Sequence, residues 1–254
     1  MTQDSPTPGH APPPFRVAFV PGVTPGRWVR TWQQRVRELP LELVPVEEDD
    51  QRRVLDDGRA DTCFVRLPVD RTGLSLIPLY REVPVVVVPR DHVVAAFDEV
   101  DIADLADEYL VQPSESVPEW RAVATAVRDG SRVEPPPMLM RHAVETVAAG
   151  TGIVVVPMSV ARLHHRRDLT YRPVTGVAES QVGLAWLAAA TDERVERFVG
   201  IVRGRTERSS RDAPADPPAG QRPDRTPDRS GSPPSSSRTA GPRRSRRPGR
   251  GRRR

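Results

Sequence analysis

Four short segments hold the polar residues best suited to gripping a ligand. They are VPGVTPG with Thr24, VRLPVD with Arg66, VQPSES with Ser114 and Ser116, and MRHAVE with Arg141 and His142. Each lies where an apolar, strand-like run gives way to a loop or to the start of a helix. A helix start offers free N–H groups and the positive end of the helix dipole. A hydroxyl, guanidinium or imidazole beside it completes a site for a carboxylate or another anion. Each residue also has a plainer reading. Thr24 starts a helix, Ser116 is an N-cap, Arg66 is a solvated rim residue, and His142 faces solvent.

Other chemistry is not offered. The sequence contains no GxxxxGK[ST] phosphate loop, no HExxH and no GxSxG, and PGVTPG lacks the GxGxxG spacing. No acid/base pair or nucleophile set stands out, so the chain is expected not to be an enzyme, and neither a cofactor nor a metal is implied. His164 and His165 are adjacent, so they diverge on a helix and read as surface residues. Cys63 is the sole cysteine, which excludes an internal disulfide. Its place in DTCFVRL reads as a buried strand thiol rather than a reactive one.

The elements that position these loops follow from periodicity. Phe15–Val20 is a first strand. Trp28, Trp32, Val36 and Leu39 recur at spacings of four, four and three, one stripe of a helix starting near Gly26 and stopped by Pro40. Leu41–Val46 is a strand, Asp49–Asp57 a short charged helix ended by Gly58, and Asp61–Arg66 a third strand. Leu74–Tyr80 and Val83–Pro89 follow as strands; VPVVVVP is short and β-branched. Asp91–Phe97 reads as one or two helical turns and Asp101 starts another short helix. Tyr109–Val111 is a short strand. Ser116 and Glu119 have capping-box spacing, opening a helix to about Arg128. Met138–Met140 reads as a strand, His142–Ala149 as a helix, Ile153–Val156 as a strand with a short helix from Pro157, and Leu169–Val174 and Gln181–Ala189 as strands. Thr191 is expected to cap a last helix with Val195, Phe198, Val199 and Val202 inward. Alternating strands and helices imply βαβ units and a mostly parallel sheet.

Several of these segments also resemble a known family. FRVAFVPGVTPGRW, LELVPV, LDDGRADTCFVRLP, GLSLIPLYREVPVVVVPRDH and VAAGTGIVVVPMSVA occur in the order found in the effector-binding domain of LysR-type transcriptional regulators. The resemblance covers about Phe15 to Arg205. It implies an α/β fold of the type-2 periplasmic-binding-protein kind, two lobes with central mixed β-sheets and a small-molecule cleft between them. Lobe I is expected to comprise 15–88 and 176–205 and lobe II 89–175, with crossings near Val88–Arg90 and Val174–Val177. The resemblance places the effector against Val23–Gly26, Arg66–Pro68, Ser114–Ser116 and Val156–Pro157. The candidate ligand-binding set is therefore Val23, Thr24, Arg66, Pro68, Ser114, Ser116, His142 and Val156. The family's winged helix-turn-helix and linker helix need roughly 90 residues. Only fourteen residues precede the first strand here, MTQDSPTPGHAPPP, so the chain is expected to start at the sensor, without its own DNA-reading element.

Composition bounds the rest. The 254 residues suffice for one bilobal domain, and 29 prolines gather toward the ends. Residues 1–14 and 206–254 are expected to be disordered. No segment reaches the roughly 20 apolar residues of a membrane span, and a cytoplasmic protein is expected. The net charge of +4 hides an asymmetry: from Glu207 onward fourteen arginines face five acids, +9, leaving −5 for the other 206 residues. Every basic residue besides histidine is arginine. Arg243, Arg244, Arg246, Arg247, Arg250, Arg252, Arg253 and Arg254 would grip nucleic-acid phosphates without reading sequence, or form an inert solvated tail. The expected partners are a small anionic metabolite, a second copy or another regulator, and non-specific nucleic acid through the tail. The expected function is effector binding in transcriptional regulation. The alternative is a nucleic-acid-associated protein with a vestigial cleft.

Overall fold

A computed structural model describes residues 13–204. The expectations for the N-terminal segment and the arginine-rich tail lie outside these residues, apart from Pro13 and Pro14. Two mixed sheets organise the described chain. In the first, the order is β2(Leu41–Pro45)–β1(Phe15–Phe19)–β3(Thr62–Arg66)–β9(Ser180–Leu187)–β4(Leu74–Glu82). The second runs β6(Val100–Asp101)–β8(Leu169–Thr175)–β5(Pro84–Pro89)–β7(Val154–Pro157). β1 is parallel to β2 and β3, whereas β9 is antiparallel to β3 and β4. β5 is antiparallel to β7 and β8, and β6 is parallel to β8. A mostly parallel sheet is thus replaced by mixed ones, because β9 returns from the second lobe and inserts between β3 and β4.

Period-2 alternation explains why the strands are buried on both faces. In β5, Val86 and Val88 face one apolar cluster, while Val85 and Val87 face another. In β3, Phe64 joins the cluster under the N- and C-terminal helices, and Cys63 and Val65 join the opposite one. Burial pushes the Cys63 thiol up to about 12, so it stays protonated and inert. Helix α1(Gly26–Arg35) buries Trp28 and Trp32, with Val36 just beyond its end. Trp32 stacks on Phe15 at 4.8 Å, and Trp28 on Phe64 at 4.7 Å. Helix α7(Glu193–Val202) adds Phe198 to the same aromatic group. α2(Arg53–Asp56) covers the other face through Val54 and Leu55. In the second lobe, α3(Pro118–Val123) supplies Trp120 to one side of the sheet. α5(Met140–Ala148) and α6(Met158–Leu163) cover the other. No helix among the described residues is long and apolar enough to cross a membrane.

Several local expectations are corrected. The chain changes sheets at Val83, not near Val88–Arg90, because β5 belongs to the second sheet; it returns through residues 176–179. Met138–Met140 is not a strand. Three prolines precede it, removing ladder donors, and α5 begins at Met140. The helix expected to run to Arg128 breaks at Ala124, whose ψ is 125°, leaving α3 and the short α4(Thr125–Arg128). Tyr109–Val111 contributes only an isolated bridge, Leu110 to Ile153. Ser116 does not cap α3; Val117 holds that position without a side-chain bond. Asp192, not Thr191, caps α7 by accepting from the Val195 amide at 2.9 Å. Thr191 instead accepts from the Trp186 indole.

Candidate functional site

The carboxyl ends of β1 and β2 lead into two loops that meet α6 of the second lobe. After β1 the chain turns through Pro21 and Gly22, then Val23 and the exposed Thr24 lead to α1. The α1 start has no side-chain cap, and its first turn contains no acid, so its positive end is uncompensated. Gly22 sits at φ +85°, and a Cβ there would lie 2.3 Å from Ser159 Oγ and 3.0 Å from the Ser159 carbonyl carbon. Only glycine allows this approach, so the two lobes touch at Gly22 and Ser159.

A groove of about 890 Å³ opens at that contact. The first lobe lines it with Phe19, Pro21 to Thr24, Pro45 to Glu47, Asp50 and Arg59; the second contributes Ser159, Arg162 and Leu163. Arg59 is paired with Asp50 at 2.8 Å, and Arg162 donates to the Tyr171 hydroxyl. Ser159 Oγ is buried without a hydrogen-bond partner. His164, expected at the surface, is partly buried here; burial pushes its imidazole down against the pull of Glu47. His165 is exposed.

Arg66 is not a solvated rim residue. Its side chain is 4% exposed and fills the space behind the Gly22 turn. One terminal nitrogen meets Glu82 Oε2 at 2.5 Å and Ser180 Oγ at 3.0 Å; the other donates to the Pro21 carbonyl at 3.0 Å. Its Nε lies 3.2 Å from Glu48. Burial pushes the Glu48 carboxyl up, with Arg66 pulling the other way. Gln51 closes the Arg66 backbone by exchanging two hydrogen bonds with it. Glu82 and Ser180 flank the two crossovers between sheets, so Arg66 ties both crossovers to the groove wall.

A comparable cluster stands at the strand ends of the second lobe. Gln112 grips the Val155 amide and carbonyl through its side-chain amide, extending the Leu110–Ile153 pairing toward the Pro157 end of β7. That brings the Ser114 turn to the end of the sheet from which α6 reaches the groove. Ser116 receives a bond from Gln112 at 2.8 Å and donates to the Pro113 carbonyl. Ser114 is buried; its hydroxyl donates to Glu134 at 2.6 Å and its amide to the other Glu134 oxygen at 3.1 Å. Arg132 reaches the same carboxylate at 3.2 Å. The Ser114 hydroxyl, first, and Arg132 then pull the Glu134 carboxyl down to about 2.

The expected residues therefore divide. Val23 and Thr24 line the groove, and Arg66 touches its wall from behind. Ser114 and Ser116 share one turn, but their hydroxyls are spent internally. Val156 is buried in β7, paired with Val85, and faces the core. Pro68 is exposed. His142 is exposed at the start of α5, accepting from Arg141 at 3.2 Å. Sequence reasoning missed Ser159, although the rule that selected Thr24 applies to it: a hydroxyl on the first turn after a strand. Nothing in the sequence marked Arg132 or Glu134, which sit beside prolines outside any period.

The LysR substrate binding domain family model matches residues 9–207. The chain is 28% identical over 168 residues to a probable cat1 operon transcriptional activator of Acinetobacter lwoffii, covering 64% of this chain and 54% of that protein. It is 27% identical over 195 residues to a probable hydrogen peroxide-inducible genes activator of Mycobacterium avium, covering 74% and 58%. The chain thus spans about half the length of the curated relatives it matches. Among solved structures, it resembles the reduced OxyR regulatory domain of Pseudomonas aeruginosa with a TM-score of 0.58 at 21% identity, covering 75% of this chain and 95% of that one. It also resembles the BenM effector binding domain with its effector benzoate, with a TM-score of 0.56 at 23% identity, covering 79% and 95%. These relatives are transcriptional regulators rather than enzymes. With two lobes built on mixed sheets and most of its length matched, the chain belongs to the LysR substrate-binding domain family.

Proposed function

We propose that this chain is an effector-sensing module that serves transcriptional regulation by taking a small anionic metabolite into the groove between its lobes. The observation that carries the reading is the Gly22–Ser159 contact, with an unpartnered buried hydroxyl lining the cavity and an uncapped helix start two residues beyond the groove-lining Thr24. A carboxylate or similar anion satisfies both: free N–H groups at the α1 start donate to it, and Thr24 and Ser159 supply hydroxyls. Val23 and Phe19 give the groove an apolar floor. The crossovers at Val83 and 176–179 are the only chain connections between the two sheets among the described residues, so closure amounts to rotation about them. A second copy or another regulator is the expected protein partner, and a cytoplasmic location accompanies this reading.

Thermal unfolding of the full chain against a panel of organic and amino acids tests it. A metabolite at 100 times its Kd stabilises the folded state by about 2.7 kcal/mol. At least one anion should raise Tm, and Thr24→Val together with Ser159→Ala should abolish the rise. If no anionic metabolite stabilises the chain, the reading fails.

A further inference from the structure

We propose that the second lobe holds a carboxylate site at Ser114, occupied in this state by Glu134 as a tethered internal guest. An external carboxylate binds there only by displacing Glu134. This deepens the groove reading and rests on it for the side from which a guest arrives.

The site is built for a carboxylate. Both Glu134 oxygens are engaged, one by the Ser114 hydroxyl and the other by the Ser114 amide and Arg132. Ser114 is 5% exposed and the Arg132 side chain 6%. The donors do not depend on Glu134 for their placement. Arg132 is clamped between the Tyr109 and Trp120 rings, 4.9 and 5.0 Å from their centroids. One of its terminal nitrogens also donates to the Leu110 and Gln112 carbonyls. Its Nε and other terminal nitrogen are buried without hydrogen-bond partners. The guanidinium therefore stays in place when Glu134 leaves.

Glu134 is held differently. Its side chain is half exposed; Pro135 beside it is buried and anchors the backbone, whereas Val133, Pro136 and Pro137 are exposed. Little packing resists its swinging away. Once it leaves, a buried guanidinium lacks a counter-charge, which is costly, so the vacated site demands an anion and rejects neutral isosteres. The guest class is a small monocarboxylate, or one carboxylate arm of a larger acid.

The experiment is ¹⁵N-resolved NMR of the full chain titrated with sodium acetate, with sodium chloride and acetamide as controls. In Glu134→Ala, acetate should move the Ser114 amide saturably, at a concentration roughly tenfold below that needed by the native chain. That factor holds if the closed form outweighs the open form about ten to one. Glu134→Gln, of nearly the same shape, serves if the alanine variant unfolds. Adding Ser114→Ala should remove the hydroxyl's share and weaken the response. Equal acetate responses in native and variant chains overturn the proposal. So does a folded variant whose Ser114 amide is silent, or one that responds equally to chloride or acetamide. The Gly22 and Thr24 amides report the groove in the same spectra. A guest that moves them while Ser114 stays silent in the variant sinks this inference and leaves the groove reading intact. A Ser114 response in the variant with Gly22 and Thr24 silent against the whole anion panel does the reverse.

Discussion

Each lobe buries one arginine at its strand ends, and the two are satisfied in opposite ways. Arg66 meets two carboxylates, a hydroxyl and a carbonyl, drawn from β4, β9 and the loops after β1 and β2. Arg132 meets a single carboxylate, two carbonyls and two aromatic faces, all from its own lobe. Glu82, the main partner of Arg66, is 10% exposed, whereas Glu134 is 50% exposed. A buried charge whose counter-charge is also buried is a structural staple. A buried charge whose counter-charge reaches water can exchange that partner. The first lobe spends its arginine on joining crossovers; in the proposal above, the second keeps its arginine for a visitor.

The sharpest way to break the comparison is to remove the two carboxylates separately. Glu82→Ala leaves the buried Arg66 guanidinium with only the half-exposed Glu48 as counter-charge and should cost about 3 kcal/mol in urea denaturation. Glu134→Ala should cost less, about 1–2 kcal/mol, because Glu134 itself is half in water and Arg132 keeps its two carbonyls and both rings. Equal losses would make Glu134 a second staple and erase the distinction.

The next effect tests the contact that both clusters flank. Gly22→Ala places a methyl 2.3 Å from Ser159 Oγ at a φ of +85°. Overpacking of this kind costs about 1–3 kcal/mol. The expected result is a lower Tm and lobes that stand further apart in small-angle scattering. Ser159→Gly in the same chain should restore the scattering profile but only part of the Tm, since the backbone strain at residue 22 remains.

How far these clusters were legible in the sequence follows from how far apart their members lie. Runs such as FRVAF, TCFVR and PVVVVP reveal their strands because burial on both faces needs unbroken apolar residues. The Trp28–Trp32–Val36 stripe reveals its helix for the same local reason. Arg66 was legible as a strand-end residue but not as a staple. Its partner Ser180 is 114 residues away, and that pairing exists only because β9 inserts beside β3. The capping-box spacing at Ser116 misled because Gln112 and the Pro113 carbonyl claim its hydroxyl first. Glu134 lies 20 residues from Ser114, beyond a broken helix and before three prolines, where no periodic signal survives.

A smaller effect separates the donors around Glu134. Ser114→Ala removes one hydroxyl and leaves the amide and Arg132, so it should cost about 1 kcal/mol in urea denaturation. Combined with Glu134→Ala, the loss should fall below the sum of the two, since both remove the same bond. Strict additivity would show that Ser114 and Glu134 do not act as a pair.

The smallest effect is a pH dependence confined to acid. Glu134 has its folded-state carboxyl lowered from 4.5 to about 2, chiefly by the Ser114 hydroxyl. A lowered carboxyl binds protons less readily folded than unfolded, so its stabilising contribution is complete above pH 4.5. The contribution fades as the pH falls toward about 2. The Tm difference between the native chain and Glu134→Gln should therefore be constant from pH 7 to about 5, then shrink as the pH drops to 3. Because half of the side chain is in water, the whole difference should be a few degrees at most and should narrow further in 1 M salt. A difference that instead widened in acid would mean that Glu134 is held in its protonated form. It would then be a hydrogen-bond donor rather than a resident anion, and the contrast with Glu82 would need another cause.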